Sequence, residues 1–358
     1  MLVVGGASAG DVFSDGAAFD PHAGRWSPIA PHPLAPRTGE RAVWTGETMV
    51  VWGGCCTGNE HFADGAAYDP AADRWETIAD AAIEARTEHT AVWTDERMLV
   101  WGGLSFEERF ADGAAYDPRT DAWTPIAPAP LSVRHGHTAV WTGDLMLVWG
   151  GSGLNDGAAY EPGTDTWTSM SRAPLRGRAG HTAVWTGDVM LVWGGSGLND
   201  GAAYDPGTDT WAAIADPPLR GRTGHTAMWT GDSMIVWGGR AGIDRFLRDG
   251  AAYDPTGDVW SPLPGGGPSP RAGHAMVWTG ADTIIWGGCC TPTGEGLDDG
   301  ARLAEPAQGI PATASPPAPT ASPGTTPATR GDDLSLSLLW LVLFLLAAAA
   351  AVVLARRT

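Results

Sequence analysis

Five histidines return at one position of a repeating segment, His89, His137, His181, His225 and His274, and Glu40 stands where a sixth would fall. A ring of imidazoles is metal-binding chemistry in principle. A position that accepts a carboxylate once and otherwise repeats in register is what the stacking of one unit produces, so these residues read as packing. Seven aspartates, Asp15, Asp64, Asp112, Asp156, Asp200, Asp249 and Asp299, each precede a glycine. They are expected to cap a turn through side chain to backbone hydrogen bonds, with calcium binding the weaker alternative. Arg37, Arg86, Arg134, Arg178, Arg222 and Arg271 are placed to pair with such carboxylates between neighbouring units. No metal site is assigned.

Four cysteines form two adjacent pairs, Cys55-Cys56 and Cys289-Cys290. Neighbouring Cα atoms lie only about 3.8 Å apart, under the usual disulfide span of about 4.4–6.8 Å, so a bond between neighbours closes a strained ring. Structural disulfides lead, free thiols follow, and a metal or redox role is the third alternative, weakened by the absence of CxxC spacing. No Ser/His/Asp or Cys/His arrangement has nucleophilic spacing. Paired carboxylates at unique positions are absent, and all five tyrosines, Tyr68, Tyr116, Tyr160, Tyr204 and Tyr253, share one repeat position. Neither a catalytic residue nor a cofactor is assigned.

These residues sit in a repeating frame. Glycine pairs end a hydrophobic run at Gly5-Gly6, Gly53-Gly54, Gly102-Gly103, Gly150-Gly151, Gly194-Gly195, Gly238-Gly239 and Gly287-Gly288, spaced by 48, 49, 48, 44, 44 and 49 residues. A full unit reads Arg-x-Gly-His-Thr-Ala-Val-Trp-Thr, then Met-Leu-Val-Trp-Gly-Gly, a variable loop, Asp-Gly-Ala-Ala-Tyr-Asp-Pro and a closing Trp. Runs of four to six residues rich in Val, Trp, Tyr and Thr, bounded by turn residues, predict four short strands, a to d. Eighteen of the 19 tryptophans fall on strands a, b or d and are assigned to the core. The 358 residues carry a net charge of -19 spread along the chain, and all 22 basic residues are arginine. That balance disfavours a grip on phosphate backbones, so nucleic acid is excluded as a partner.

A Gly-Gly doublet ending one strand, followed by a Tyr and a Trp some residues apart with a period near 50, resembles the kelch repeat. The resemblance implies an all-β, kelch-type β-propeller of seven blades over residues 1–305, its first and last blades incomplete. Strand a is missing from the first unit and strand d from the seventh. One upstream extension carrying a strand d, a strand a and an export signal would repair both defects, so Met1 reads as an internal methionine. Residues 306–333 are a Pro/Ala/Thr/Ser-rich linker. Residues 334–355 form a run long enough to cross about 30 Å of hydrocarbon as a transmembrane helix, and the basic tail 356–358 places the C-terminus in the cytoplasm and the propeller outside.

Two function classes remain open. One is a surface-anchored module binding a protein or glycan ligand. The other, resembling the kelch-type sugar epimerases or copper-radical oxidases, is a carbohydrate-active enzyme, for which the sequence offers no constellation. Alternating strand directions bring the b–c and d–a loops to one face, where the units differ. Phe13, Phe62, Phe110, Leu154, Leu198, Leu247 and Leu297 are apolar in every unit and read as lids. His61, Glu107, Glu108, Arg109, Arg240, Arg245 and Arg248 are left as candidate contacts, on a crescent of long loops facing the short loops of units four and five.

Overall fold

A computed structural model describes residues 1–55, 60–265, 267–289 and 295–304. The linker at 306–333, the apolar run at 334–355 and the tail at 356–358 lie outside the described residues. Among the described residues no helix is long and apolar enough to cross a membrane.

Seven antiparallel sheets form the blades of a propeller. Blade 4 is typical, with strands a Thr138–Trp141, b Met146–Trp149, c Gly157–Glu161 and d Thr166–Ser169 in that order. Thr138 pairs with Trp149, Trp149 with Gly157 and Tyr160 with Trp167. Met-Leu-Val-Trp becomes strand b because a run apolar on both faces is stable only where both faces are covered, and all four of its residues are buried in blades 2 to 6. Blade 1 holds strands b Leu2–Val4, c Gly16–Asp20 and d Arg25–Pro28, and blade 7 holds a Ala275–Trp278, b Asp282–Trp286 and c Gly300–Ala304. The a strands of blades 2 to 7 pack in sequence around the axis.

The glycine pair is dictated by the backbone. Gly102 and Gly103 lie at φ 68° and 100°. A Cβ on Gly102 would meet the ring of His137 at 2.6 Å, and one on Gly103 the carbonyl of Thr87 at 2.6 Å. No L side chain fits there without a shift.

Only the strand-b row of tryptophans is fully interior, and only in blades 2 to 6. Trp52, Trp101, Trp149, Trp193 and Trp237 on strand b are at most 2 % exposed, whereas the a-row and d-row rings are mostly half-buried and Trp44 is 49 % exposed. The b-row rings of blades 2 to 5 meet the d-row ring of the next blade, as in Trp149–Trp211 at 5.7 Å. The same pairing closes the ring, since Trp286 of blade 7 meets Trp26 of blade 1 at 4.3 Å, and the Gly296 amide donates to Ser8 Oγ at 2.9 Å.

An outer clasp repeats between blades. Asp209 accepts from the Tyr204 hydroxyl at 2.9 Å and from the Ser171 amide of the preceding blade at 2.7 Å, while Trp211 Nε1 donates to the Ser171 carbonyl at 3.0 Å. Blade 1 cannot make it: Phe19 has no hydroxyl and Gly24 no carboxylate.

Candidate functional site

The repeated aspartates do not cap a turn, and the arginines do not bridge blades. Arg178, fully buried, donates to both carboxylate oxygens of Asp200 of its own blade at 2.8 and 2.9 Å, and to the Gly194 carbonyl at 3.0 Å. The pairing recurs from Arg37–Asp64 to Arg271–Asp299. A fully buried guanidinium needs a carboxylate more than the turn needs a cap, and the bond from Arg178 holds the Asp200 carboxyl below its usual range. The link between blades is the backbone of the same arginine, whose carbonyl accepts from the amide of Gly151 in the blade before at 2.9 Å. The apolar lids lie over this network, with Phe62 and Phe110 each 4.1 Å from an arginine carbon.

The histidines pack the blade interfaces. His137, His181, His225 and His274 each bond a threonine hydroxyl of the preceding blade, at 3.0, 3.0, 3.0 and 2.6 Å. Each ring also stands edge-on to the buried tryptophan of that blade, 4.9–5.1 Å away. Burial, joined by the neighbouring arginine, pulls His181, His225 and His274 down to about 3. Folded imidazoles thus stay neutral where unfolded ones take up a proton, so their stabilisation is present above about pH 6.5 and is lost as pH falls toward about 3. Each should cost roughly 2 kcal/mol between pH 7 and 5. Glu40, raised by burial to about 7, acts oppositely, its contribution being lost as pH rises through 7. Urea unfolding at pH 7 and 5 should show a net loss of several kcal/mol, smaller in His225→Gln; pH-independent stability would refute neutral burial.

Within the ring of a strands lies a cavity of about 340 Å³, lined by the Gly-His-Thr-Ala segments of blades 4 and 5, parts of the same segments in blades 3 and 6, and Arg41 and Glu88. Here the repeat breaks. Arg41 replaces the threonine that opens strand a, Glu40 the histidine, and Glu88 the glycine held by every other full unit. Glu88 keeps the glycine conformation, at φ 51°, which costs an L residue about 1–2 kcal/mol. Its carboxylate meets His135 Nδ1 at 2.6 Å, with both side chains largely buried. Arg41 Nε donates to the His89 carbonyl at 2.9 Å, and among the described residues no carboxylate comes within ion-pair distance of its guanidinium. Burial pulls Arg41 down, opposed by Glu88 and Glu40.

This cluster opens on the loop face. Ser152 of a b–c loop donates to the His135 carbonyl at 3.1 Å, and backbone bridges join d–a to b–c loops at Thr38–Cys55, Thr87–Leu104, Thr223–Arg240 and Ala272–Cys289. The candidate contacts distribute around the same rim. The His61 ring stands edge-on to Phe106 at 4.4 Å, half-buried and pulled down by that burial. Glu107, Glu108 and Arg109 are exposed on a turn pinned by Ser105, whose amide donates to the Glu108 carbonyl at 2.8 Å. Arg245 and Arg248 are exposed, whereas Arg240 is buried, its backbone paired with Thr223 and with Phe246 of a small hairpin. Cys55 is disulfide-bonded and Cys289 is buried; Cys56 and Cys290 lie outside the described residues. Phe106, Val133 and Ile243, at 61, 50 and 70 % exposure, add apolar surface to the rim. Arg41, Glu88 and His135 went unselected from sequence, although Arg for Thr and Glu for Gly stand out once the units are aligned.

Radial four-stranded blades, glycine pairs ending strand b and the Tyr–Trp pairing of strands c and d define a kelch-type β-propeller. A family model for the KLHDC2/KLHL20/DRC7 Kelch-repeats domain matches residues 1–195 and 136–304, and the chain belongs to that kelch-repeat family. The kelch propeller is a general protein-interaction module. No curated protein matches the chain.

Proposed function

We propose that this propeller is a membrane-anchored, extracytoplasmic interaction module that receives an extended segment of a partner protein at the mouth of its axial channel. The observation that carries the reading is the meeting of Arg41 and Glu88, two departures from the repeat that line one cavity, with His135, which bonds Glu88. A backbone held in a disfavoured conformation persists when something other than stability selects it. The exposed Phe106 and Val133 offer apolar anchors beside this polar cluster, the pairing that interface hot spots use. Blades 4 and 5, with their short loops, leave one side of the mouth open, so the partner docks off-centre. Selection of displayed random peptides on the immobilised propeller tests the reading: enriched peptides should lose binding to Glu107→Ala/Glu108→Ala/Arg109→Ala or to variants of the channel mouth, and keep it with Asp144→Ala/Asp188→Ala on the opposite face. Loss only in the second pair would move the site to the other face.

The anchoring half of the proposal rests on the apolar residues 334–355 after the Pro/Ala/Thr/Ser-rich residues 306–333. The full chain should sediment with membranes, truncation after Arg330 should release a soluble propeller, and protease added to intact cells should clip the linker. Propeller that resists protease until lysis would invert the topology.

A further inference from the structure

Four arginines on one sector of the loop face stand without carboxylate partners in a chain whose net charge is -19. Arg176, Arg220, Arg245 and Arg248 are exposed, and among the described residues no hydrogen bond or ion pair engages their guanidinium groups. The repeated carboxylates of these blades are already taken. Arg178 holds both oxygens of Asp200 at 2.8 and 2.9 Å, and Arg222 both of Asp249 at 3.0 and 3.1 Å. Against the four arginines the same loops set only Asp216 and Asp244, both exposed.

The short loops fix the first two. Where the other d–a loops carry Ala35-Pro36, Glu84-Ala85, Ser132-Val133 and Ser269-Pro270 before the buried arginine, those opening blades 5 and 6 carry Arg176-Gly177 and Arg220-Gly221. A Cβ on Gly177 would lie 1.7 Å from the Gly153 carbonyl oxygen, and one on Gly221 1.9 Å from that of Gly197, because the short b–c loops of blades 4 and 5 close down on the chain here. Backbone bonds lock the segment. The Arg178 and Arg222 amides donate to the Leu154 and Leu198 carbonyls at 3.2 Å, and their Nε atoms donate to the Arg176 and Arg220 carbonyls at 2.9 Å. Thr223, three residues after Arg220, exchanges backbone bonds with Arg240 at 3.0 and 2.8 Å, and Arg240 opens the hairpin that carries Arg245. Arg248 follows the lid Leu247, where blades 4 and 5 have Asn155 and Asn199. The four arginines therefore follow one another along the rim of blades 4 to 6, with Ile243, 70 % exposed, at the hairpin turn.

We infer that this sector receives an acidic stretch of the partner protein, with an aliphatic side chain of that stretch seated against Ile243. The inference rests on the docking face proposed above and names the partner's chemistry on its low side, where blades 4 and 5 leave the mouth open. Guanidinium groups pair with carboxylates through planar, charge-assisted hydrogen bonds, and a row of them on backbone-pinned loops selects an acidic partner over a neutral or basic one. The net charge of the chain does not oppose this, because charges beyond about 10 Å are screened at 0.1 M salt. Ile243 decides between anionic polymers, since its apolar surface matches a peptide side chain and offers nothing to a sulfated sugar chain.

The test uses the full chain and a fluorescent peptide, Glu-Asp-Glu-Leu-Asp-Glu-Asp, with its Gln/Asn counterpart and dextran sulfate as the comparison probes. Saturable binding of the acidic peptide is expected, weakening as salt is raised, and at least tenfold weaker for the amide peptide. Arg176→Ser/Arg220→Ser should weaken it at least tenfold at an unchanged urea midpoint, because serine holds this position in the loops opening blades 4 and 7. Ile243→Ser and Arg245→Ser/Arg248→Asn should each weaken it several-fold, whereas Arg97→Ser/Arg119→Ser on the opposite face should not. Glu88→Gly/His135→Ala should bind this probe as the parent does, which keeps the two readings apart: the channel mouth fails if library-selected peptides ignore that variant, and the acidic sector fails if the probe ignores Arg176→Ser/Arg220→Ser. Equal binding of the amide peptide, capture of dextran sulfate without the peptide, or a loss confined to Glu88→Gly/His135→Ala would also overturn the inference.

Discussion

Replacing Trp149 by alanine is expected to lower the unfolding free energy by about 3–5 kcal/mol, the range for a large aromatic removed from a packed interior. Trp149 is fully buried, with His181 edge-on at 5.0 Å and Trp211 of the next blade at 5.7 Å. Its loss opens a cavity between two blades that neither can fill alone, because strand b is fixed by ladders on both sides. Trp44→Ala, at a half-exposed ring, should cost roughly 1 kcal/mol or less. Urea midpoints of the two variants compare them directly. Equal losses would mean that the b-row rings are no more interior than the a-row.

The second large effect separates binding from stability. Glu88→Gly with His135→Ala gives blade 3 the Arg-Thr-Gly-His of blade 6 and blade 4 the Arg-Ala-Gly-His of blade 5. The glycine relieves about 1–2 kcal/mol of left-handed backbone cost, while the lost Glu88–His135 bond, a charge-assisted pair, forfeits about 1.5–3 kcal/mol. These terms largely offset each other, so the unfolding free energy should change by about 1 kcal/mol. Partner binding, in contrast, should fall by more than tenfold, since two polar groups at the channel mouth are removed and the departure from the repeat is partly erased.

The blade architecture was legible because its determinants are local and repeated: the glycine pair enforces one backbone conformation seven times, and Met-Leu-Val-Trp has nowhere to go but between two layers. The roles of Asp200 and Arg178 were harder, since a turn cap and a buried ion pair place the same aspartate before the same glycine. Only the position of the guanidinium, 22 residues away in sequence, decides between them. The tryptophan rows looked equivalent by count, yet distance from the axis and the neighbouring blade set their burial. The channel mouth escaped notice for a related reason. Charged loop residues such as Glu107 and Arg109 draw attention as unique positions, whereas Glu88 and Arg41 are disguised inside the most regular segment of the unit. A repeat is read by what recurs, and here the chemistry lies where one recurrence fails.

The most direct test of the binding face is the dissociation constant of one library-selected peptide for three proteins: the parent chain, Glu88→Gly/His135→Ala, and Asp144→Ala/Asp188→Ala, each checked for an unchanged unfolding midpoint. More than tenfold weaker binding by the channel-mouth variant, with parent-like affinity in the turn variant, is the expected result. Equal affinity for the parent and the channel-mouth variant would contradict it.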